Sequence, residues 1–162
     1  MNCELNIDSI IKKSYNKSKE LEVLIVDDDK DSIESMKDLL ELYGHNVTIV
    51  DEEARCITLC SINNYDLIIM DYHMKDLDGD KIIDIIKEEK VESTIFAFTG
   101  DKTKEVINTF EKLEIAGIIY KPINPDIFLE LIGMLSRKLK PDKNSLKDIS
   151  KRSGNDILVF VN

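Results

Sequence analysis

One short apolar run that ends in an acid constrains the fold of this chain more than any other stretch. The segment Leu67 to Asp71 reads Leu-Ile-Ile-Met-Asp and follows the turn-like pair Asn63-Asn64. Such a run is too short for a stand-alone helix and is typical of a strand buried on both faces, which belongs in a parallel sheet. The carboxyl ends of strands in an open α/β sheet face the crevice where ligands bind. Asp71 is therefore a candidate for chemistry, although an acid can also simply open the loop after a strand.

Apolar runs alternate with amphipathic segments along most of the chain. Further strands are predicted at Leu21 to Val26, Asn46 to Val50, Thr94 to Phe98 and Gly117 to Tyr120. Apolar residues at helical spacing follow each strand, and Asp31 with Glu34 resembles a capping box at the start of the first helix, which Gly44 would end. Strands that are each followed by a helix predict an α/β domain, a parallel sheet with helices on both faces.

Composition divides the 162 residues into three parts. Residues 1–20 are polar and are expected to form an N-terminal arm that docks weakly or not at all. Residues 21–139 carry the alternating pattern and form the predicted domain, whereas residues 140–162 are again polar and form a C-terminal tail. The apolar run Ile157 to Val161 in that tail could be a sixth strand at the sheet edge, a partner-binding strand or a loose end, and we favour weak docking.

Charge and cysteine content narrow the partners and the compartment. The formal net charge of -10 makes a nucleic-acid groove or an anionic membrane surface an unfavourable partner, whereas cations and basic protein patches fit. Cys3, Cys56 and Cys60, together with His45 and His73, cannot complete a zinc site of the usual type. The N-terminus lacks the apolar stretch of a signal peptide, and no run approaches the ~18 residues of a membrane span. We expect a reduced protein of the cytoplasm, or of the nucleus.

Polar side chains stand at the ends of four predicted strands. The first, third, fourth and fifth strands end in Asp27-Asp28, Asp71, Thr99 and Lys121. In the doubly wound strand order 2-1-3-4-5, the first and third strands are neighbours, so the carboxylates would converge. Their repulsion must be offset by raised pKa values or by a bound cation. Hard oxygen ligands favour Mg²⁺, which is usually held by carboxylates together with phosphate oxygens.

These residue types predict phosphoryl transfer. Asp71 would be the nucleophile and would form an acyl phosphate, and Thr99 and Lys121 would complete an electrostatic clamp around the transferred group. Plainer interpretations exist: Asp27 to Asp29 could cap a helix, Thr99 could do the same, and Lys121 could be a solvated loop residue. Coincidence explains poorly why all of them stand at strand ends.

The sequence from about Glu22 to Leu139 resembles the response-regulator receiver domain of two-component and phosphorelay signalling. The resemblance rests on five motifs: Leu-Ile-Val-Asp-Asp (24–28), Leu-Ile-Ile-Met-Asp-Tyr-His-Met (67–74), Asp78-Gly79, Phe-Ala-Phe-Thr-Gly (96–100) and Tyr-Lys-Pro (120–122). As a set with this spacing they are highly specific. The resemblance implies a flavodoxin-like fold, a doubly wound five-stranded parallel sheet of order 2-1-3-4-5 with helices on both faces and polar terminal extensions.

The resemblance also implies a switch that takes a phosphoryl group from a phosphohistidine donor onto Asp71. Mg²⁺ would be held by Asp28 and Asp71, with Asp27 helping through water and the backbone carbonyl of His73 as a further ligand. A histidine kinase or a histidine phosphotransfer protein would be the donor, and a downstream protein would be the partner, with neither nucleic acid nor membrane involved. The chain would be a monomer, or a weak dimer when phosphorylated.

Thr99 and Lys121 would contact the phosphoryl oxygens in such a switch. Thr99 would move toward them, and the face built from the fourth helix and the fifth strand would then change shape. His73 and Asp101 resemble positions that tune the lifetime of the acyl phosphate, although their side chains could equally be solvated loop residues. No region after Leu139 is long or basic enough for a DNA-binding output domain, so we expect a single-domain receiver, a phospho-acceptor signalling domain rather than an enzyme.

The chain departs from the family pattern at two places. Lys75 follows Met74 where the family usually has proline, and Ile118 stands where the family often has an aromatic residue that turns inward in the active state. Tyr120 is nearby but does not occupy that position. The departures concern how the signal is passed on rather than the acceptor chemistry.

Two other functions compete with the receiver. A phosphohydrolase of the haloacid dehalogenase type also uses an Asp-x-Asp after a first strand, here Asp27 and Asp29, then a threonine and a lysine. It would want a further acidic pair on a later strand and would leave Asp71 without a role. A degenerate receiver that serves only as a binding scaffold is the third possibility, and the presence of all five acceptor-site residues argues against it.

Overall fold

Six strands and six helices follow one another in the described part of the chain, residues 19–75, 77–137 and 142–160 of the computed structural model. In chain order they are β1 (Glu22–Val26), α1 (Lys30–Leu42), β2 (Asn46–Val50), α2 (Glu53–Ile62), β3 (Leu67–Asp71), α3 (Gly79–Glu88), β4 (Thr94–Thr99), α4 (Lys104–Lys112), β5 (Gly117–Tyr120), α5 (Pro125–Arg137), α6 (Lys143–Arg152) and β6 (Ile157–Val159).

The strands form a single sheet in the order β2-β1-β3-β4-β5-β6. The first five strands are parallel, which confirms the predicted doubly wound order. Every residue of β3 is buried because helices cover both faces of the sheet, and this explains its unbroken apolar sequence. The sixth strand pairs with β5 in the antiparallel sense, with Ile118 opposite Leu158.

Each face of the sheet has its own apolar core, because successive side chains of a strand point to opposite faces. Leu24 and Val26 pack on the face covered by α2, α3 and α4. Val23 and Ile25 pack on the face covered by α1, α5 and α6. The domain is therefore a three-layer α/β structure with the sheet in the middle. None of the described helices has the length and apolar character needed to cross a bilayer.

The first helix begins two residues earlier than the sequence pattern suggests. Asp29 has an extended backbone (φ -90°, ψ 98°), and its carboxylate accepts a hydrogen bond from the N–H of Asp31 at 3.2 Å. The predicted capping box of Asp31 and Glu34 is therefore wrong, because Asp31 already lies inside the helix. The predicted end of the helix is confirmed, since Gly44 follows it with a φ of 84°.

The C-terminal segment is folded onto the domain. Asp142 caps α6 by accepting from Ser145 N at 2.9 Å, and Leu146 and Ile149 of that helix are buried against the core. Composition predicted a polar tail because most of the other residues of α6 are polar. Of the interpretations left open for the run from Ile157, the structure shows the edge strand, although Val161 lies outside the described residues.

Some predictions fall on parts of the chain that the structure does not describe. The N-terminal arm up to residue 18 and Cys3 lie outside the described residues. Cys56 and Cys60 are buried free thiols in α2. The domain boundaries predicted at residues 20 and 139 stay predictions.

Gly117 allows β6 to approach β5. A Cβ at this position would lie 2.1 Å from the backbone oxygen of Leu158. We expect Gly117→Ala to weaken the pairing of the two strands and to lower the free energy of unfolding by ~1–3 kcal/mol, measured by chemical denaturation. Gly100→Ala is the control, because the nearest atom to its new Cβ is 3.9 Å away. Equal stability of the two variants would contradict the prediction.

Candidate functional site

Four strands deliver polar side chains to one edge of the sheet. Asp27 follows β1, Asp71 is the last residue of β3, Thr99 is the last of β4, and Lys121 follows β5. The strands are parallel and in register, so their carboxyl ends meet at this edge. Asp27, Asp71 and Thr99 are almost fully buried. The structure thus brings together the side chains that the sequence singled out.

Three carboxylates converge at the centre of this edge. Asp27, Asp28 and Asp71 each offer an oxygen, and these oxygens all lie within 4.8 Å of one another. Carboxylate oxygens without a nearby thiolate or imidazole set are ligands that suit Mg²⁺. The cluster could therefore hold a hard divalent cation.

Lys121 bridges two of the three carboxylates. Its Nζ lies 3.0 Å from Asp27 Oδ2 and 3.2 Å from Asp71 Oδ1. The same ammonium stands 4.8 Å from the centre of the Phe98 ring. Lys121 is half-buried and held by two charged partners, so the interpretation of a solvated loop lysine does not describe it.

Asp27 and Asp29, in the acidic run after β1, have different roles. Asp27 points inward, and its Oδ1 accepts from the N–H of Asp29 at 2.8 Å, which fixes the carboxylate. Asp29 itself is exposed and caps α1, where its other oxygen accepts from the Ser32 hydroxyl at 2.8 Å. The capping interpretation therefore holds for Asp29 and not for Asp27.

The pKa values of Asp71 and Lys121 are both raised, for different reasons. The pKa of Asp71 is raised to about 6, first because the carboxyl is buried and then because Asp27 is close, while Lys121 acts the other way. Burial alone would lower the pKa of Lys121, but its hydrogen bonds and charge interactions with Asp27 and Asp71 raise it. One ammonium stands beside three acids, so an excess of negative charge remains that a cation would offset.

Thr99 is not the cap of α4. That role belongs to Thr103, whose Oγ1 accepts from Val106 N at 3.4 Å. The Oγ1 of Thr99 instead accepts from the N–H of Asp101 at 3.1 Å. A hydroxyl that accepts one hydrogen bond can still donate another, so Thr99 can donate to an oxygen of a ligand.

His73 and Asp101 form a pair at the rim of the site. Their side chains approach to 4.0 Å between Nε2 and Oδ2. The His73 side chain is largely exposed, and its ring packs edge-on against Tyr72 with centres 4.6 Å apart. Hydrogen bonds to Thr103 hold the pKa of Asp101 low, with a smaller contribution from His73. A role of the His73 carbonyl as a metal ligand stays a prediction.

Gly79 supports the acceptor strand in a way that sequence reasoning missed. The motif Asp78-Gly79 predicted only a turn, but Gly79 is the first residue of α3 and its N–H donates to Tyr72 O at 2.8 Å. A Cβ on Gly79 would lie 2.1 Å from the backbone oxygen of Asp71. The helix can therefore start directly against the end of β3 only because this residue is glycine. The glycine in the sequence was the available signal for a close backbone approach. The sequence did not show that the residue it approaches is Asp71, 8 residues earlier in the chain.

The position without an aromatic residue is filled by an aliphatic core residue. Ile118 is fully buried. Tyr120 lies on the same face of the sheet, two residues further along β5 toward the site. Tyr120 is opposite Thr99 in the β4–β5 register, and Lys102 Nζ stands 4.9 Å from the centre of its ring.

The raised pKa of Asp71 predicts how stability depends on pH in the absence of metal. The folded protein binds the proton of Asp71 more tightly than the unfolded chain does, so stability falls as pH rises from the usual value of 3.8 to about 6. Asp71→Asn removes this cost. We expect it to raise the free energy of unfolding by ~1–3 kcal/mol at pH 7 in a chelator, and to have little effect below about pH 4.

Chemical denaturation at the two pH values measures this effect. Asp148→Asn, which alters an exposed carboxylate of α6, is the control and should show no such difference between the two pH values. A destabilised Asp71→Asn protein at pH 7 would show that burial of the charge and repulsion from Asp27 do not dominate at this position.

Comparison with known proteins gives a consistent answer. The sequence profile of the response regulator receiver domain matches residues 23–133. Transcription factor SKN7 of Candida albicans is 30% identical over 126 residues, which are 78% of this chain and 22% of that protein. Sensor histidine kinase AruS of Pseudomonas aeruginosa is 27% identical over 117 residues, 70% of this chain and 12% of that protein. The chain thus spans less than a quarter of the length of these relatives.

Solved structures share the fold. A two-component response regulator from Clostridium difficile superimposes with a TM-score of 0.70 at 23% identity, over 75% of this chain and 99% of that one. The receiver domain of the Francisella response regulator 1452 gives a TM-score of 0.68 at 24% identity, over 75% of this chain and 100% of that one. At this identity the structures support the fold alone, and the profile match supplies the family. The chain belongs to the family of response regulator receiver domains.

Proposed function

We propose that the domain accepts a phosphoryl group from a phosphohistidine donor onto Asp71, in a reaction that depends on Mg²⁺. The observation that carries this proposal is the Lys121 ammonium between the buried carboxylates of Asp27 and Asp71. A carboxylate oxygen of Asp71 attacks phosphorus, the P–N bond of the donor breaks as the new P–O bond forms, and the imidazole leaves and takes up a proton. The product is an acyl phosphate on Asp71.

The three acids fit a magnesium site. Asp28 and Asp71 would bind the ion directly, Asp27 would help through water, and the backbone carbonyl of His73 would be a further ligand. When bound, Mg²⁺ neutralises negative charge on the carboxylates and on the phosphoryl oxygens. The excess of carboxylate charge over the single ammonium of Lys121 supports this assignment.

Lys121 and Thr99 contribute the remaining stabilisation. The ammonium of Lys121 can shift from Asp71 toward a phosphoryl oxygen while it keeps its contact with Asp27, because both carboxylates are within reach. The hydroxyl of Thr99 donates to another phosphoryl oxygen. A movement of Thr99 changes its contact with the N–H of Asp101, so the loop that leads into α4 responds to phosphorylation.

The rim pair sets the lifetime of the signal. The side chains of His73 and Asp101 approach to 4.0 Å, and the two residues stand two places after Asp71 and Thr99 respectively. Side chains in these places control how water approaches the acyl phosphate.

The partner classes follow from this chemistry. A histidine kinase or a histidine phosphotransfer protein supplies the phosphoryl group, and the phosphorylated domain then relays it onward or docks reversibly to a downstream protein, as a monomer or a weak dimer. The similar proteins carry the names of a sensor histidine kinase and of a transcription factor, and these names support signalling partners of both kinds.

The two alternatives have less support. A phosphohydrolase of the haloacid dehalogenase type would use Asp29, but this residue is exposed and caps α1. A degenerate receiver that only binds partners would not need Lys121 to bridge two buried acids.

Small-molecule phosphorylation tests the proposal. We expect acetyl phosphate with Mg²⁺ to phosphorylate the wild-type protein on Asp71, detected by intact mass and by peptide mapping of the acyl phosphate. Asp71→Asn should take up no phosphate, and a chelator should prevent the reaction. Lys121→Gln should slow phosphorylation by roughly 10²-fold because it removes a preorganised positive charge, whereas Lys104→Gln, at an exposed position of α4, should react normally.

Different results point to the alternatives. Phosphate on Asp27, or turnover of a phosphomonoester, would favour the hydrolase. Absence of both Mg²⁺ binding and phosphorylation in the wild-type protein would favour the scaffold.

A further inference from the structure

The loop that carries Lys121 is held by one residue of the C-terminal segment. Tyr120 N donates to the backbone oxygen of Asp156 at 2.8 Å, and Asn124 Nδ2 donates to Asp156 Oδ2 at 3.1 Å. These two donors lie on either side of the sequence Lys121-Pro122-Ile123. Asp156 therefore accepts hydrogen bonds from the residues just before and just after this loop.

The other side of the same loop is fixed by α5 and β4. The side-chain oxygen of Asn124 accepts from Asp126 N at 3.1 Å and from Ile127 N at 3.4 Å, which secures the start of α5. Lys121 N donates to Thr99 O at 2.9 Å. Asn124 thus joins the first turn of α5 to Asp156. Because Asn124 is three residues after Lys121, a displacement of Asp156 would move the loop that carries Lys121.

Asp156 is itself placed by the packing of α6. Leu146 and Ile149 bury one side of this helix in the core that it shares with α5. The Ser150 hydroxyl donates to Ile157 O at 2.9 Å, and Ile157 N donates to the Ser153 hydroxyl at 3.2 Å. The turn between α6 and β6 is therefore ordered by side-chain hydrogen bonds, and it presents Asp156 to the loop.

We propose that Asp156 is a positioning residue for Lys121. Its carbonyl and its carboxylate hold the loop so that the ammonium stands between Asp27 and Asp71. Asp156 lies outside residues 23–133, the part matched by the family profile, so the C-terminal segment contributes to the site through this contact. The inference rests on the proposed function, because positioning matters only if Lys121 meets a phosphoryl group.

The test separates the phosphoryl position from the metal position. Beryllofluoride, which mimics the phosphoryl group on a carboxylate, is titrated by calorimetry in saturating Mg²⁺, and Mg²⁺ is titrated alone. We expect Asp156→Ala to weaken beryllofluoride binding by about three- to tenfold, the usual effect of losing one hydrogen bond, and to leave Mg²⁺ binding within about twofold of wild type.

Two further variants separate positioning from charge and from folding. Asp156→Asn keeps an oxygen that can accept from Asn124, so we expect it to bind beryllofluoride as the wild type does. Asp148→Ala removes a carboxylate of the same segment that pairs with Arg152 and not with the loop, so it should also bind normally. Circular dichroism and thermal unfolding establish that all the variants are folded.

The outcomes distinguish this inference from the proposed function. If the wild type binds beryllofluoride and Asp156→Ala binds it equally well, the positioning role is overturned and the proposed function stands. Equal losses in Asp156→Ala and Asp156→Asn, or an equal loss of Mg²⁺ binding, also overturn it. If the wild type does not bind beryllofluoride, the proposed function fails. In that case the NMR resonances of the Lys121 side chain in the ligand-free protein test the positioning role. Positioning requires these resonances to shift in Asp156→Ala but not in Asp156→Asn or Asp148→Ala, and any other pattern overturns it.

Discussion

The contact of one ammonium with two buried carboxylates is the interaction on which the site depends. Asp27 and Asp71 are almost fully buried and lie side by side because β1 and β3 are neighbours in the sheet. Burial and repulsion from Asp27 raise the pKa of Asp71, and the ammonium of Lys121 acts in the other direction. The ammonium offsets only part of the negative charge. The excess that remains, with Asp28 within 4.8 Å, is the charge that a cation would offset in the function we propose.

Close backbone approaches hold this arrangement in place. Gly79 lets α3 start directly against the carbonyl of Asp71, and Gly117 lets β6 lie against the start of β5. In both cases a single added carbon would meet a backbone oxygen, which cannot move as a side chain can. The acceptor strand and the lysine strand are thus each fixed by a neighbour that tolerates no side chain at the point of contact.

The C-terminal segment adds a helix and a sixth strand to the five parallel strands. Two apolar residues of α6 and three of β6 attach it to α5 and β5, and its turn places Asp156 against the loop after Lys121. The segment also pairs with the edge of β5, so this edge is closed by the chain itself. The edge strand on this side of the sheet is therefore β6 and not β5.

The sequence by itself determined the five parallel strands and the polar residues at their ends, because these depend on local periodicity and on motif spacing. The order of the strands in the sheet came from the resemblance to the receiver family, and the sixth strand was left open. The sequence misplaced the first helix cap, since Asp29 and Asp31 are chemically equal and only the end of β1 decides which one caps. It did not reveal the closeness of Gly79 to Asp71, the folding of α6 on two apolar side chains, or the contact of Asp156 with the loop. Each of these joins residues that are separated along the chain by other elements or by turns, and only the tertiary structure decides which of them meet.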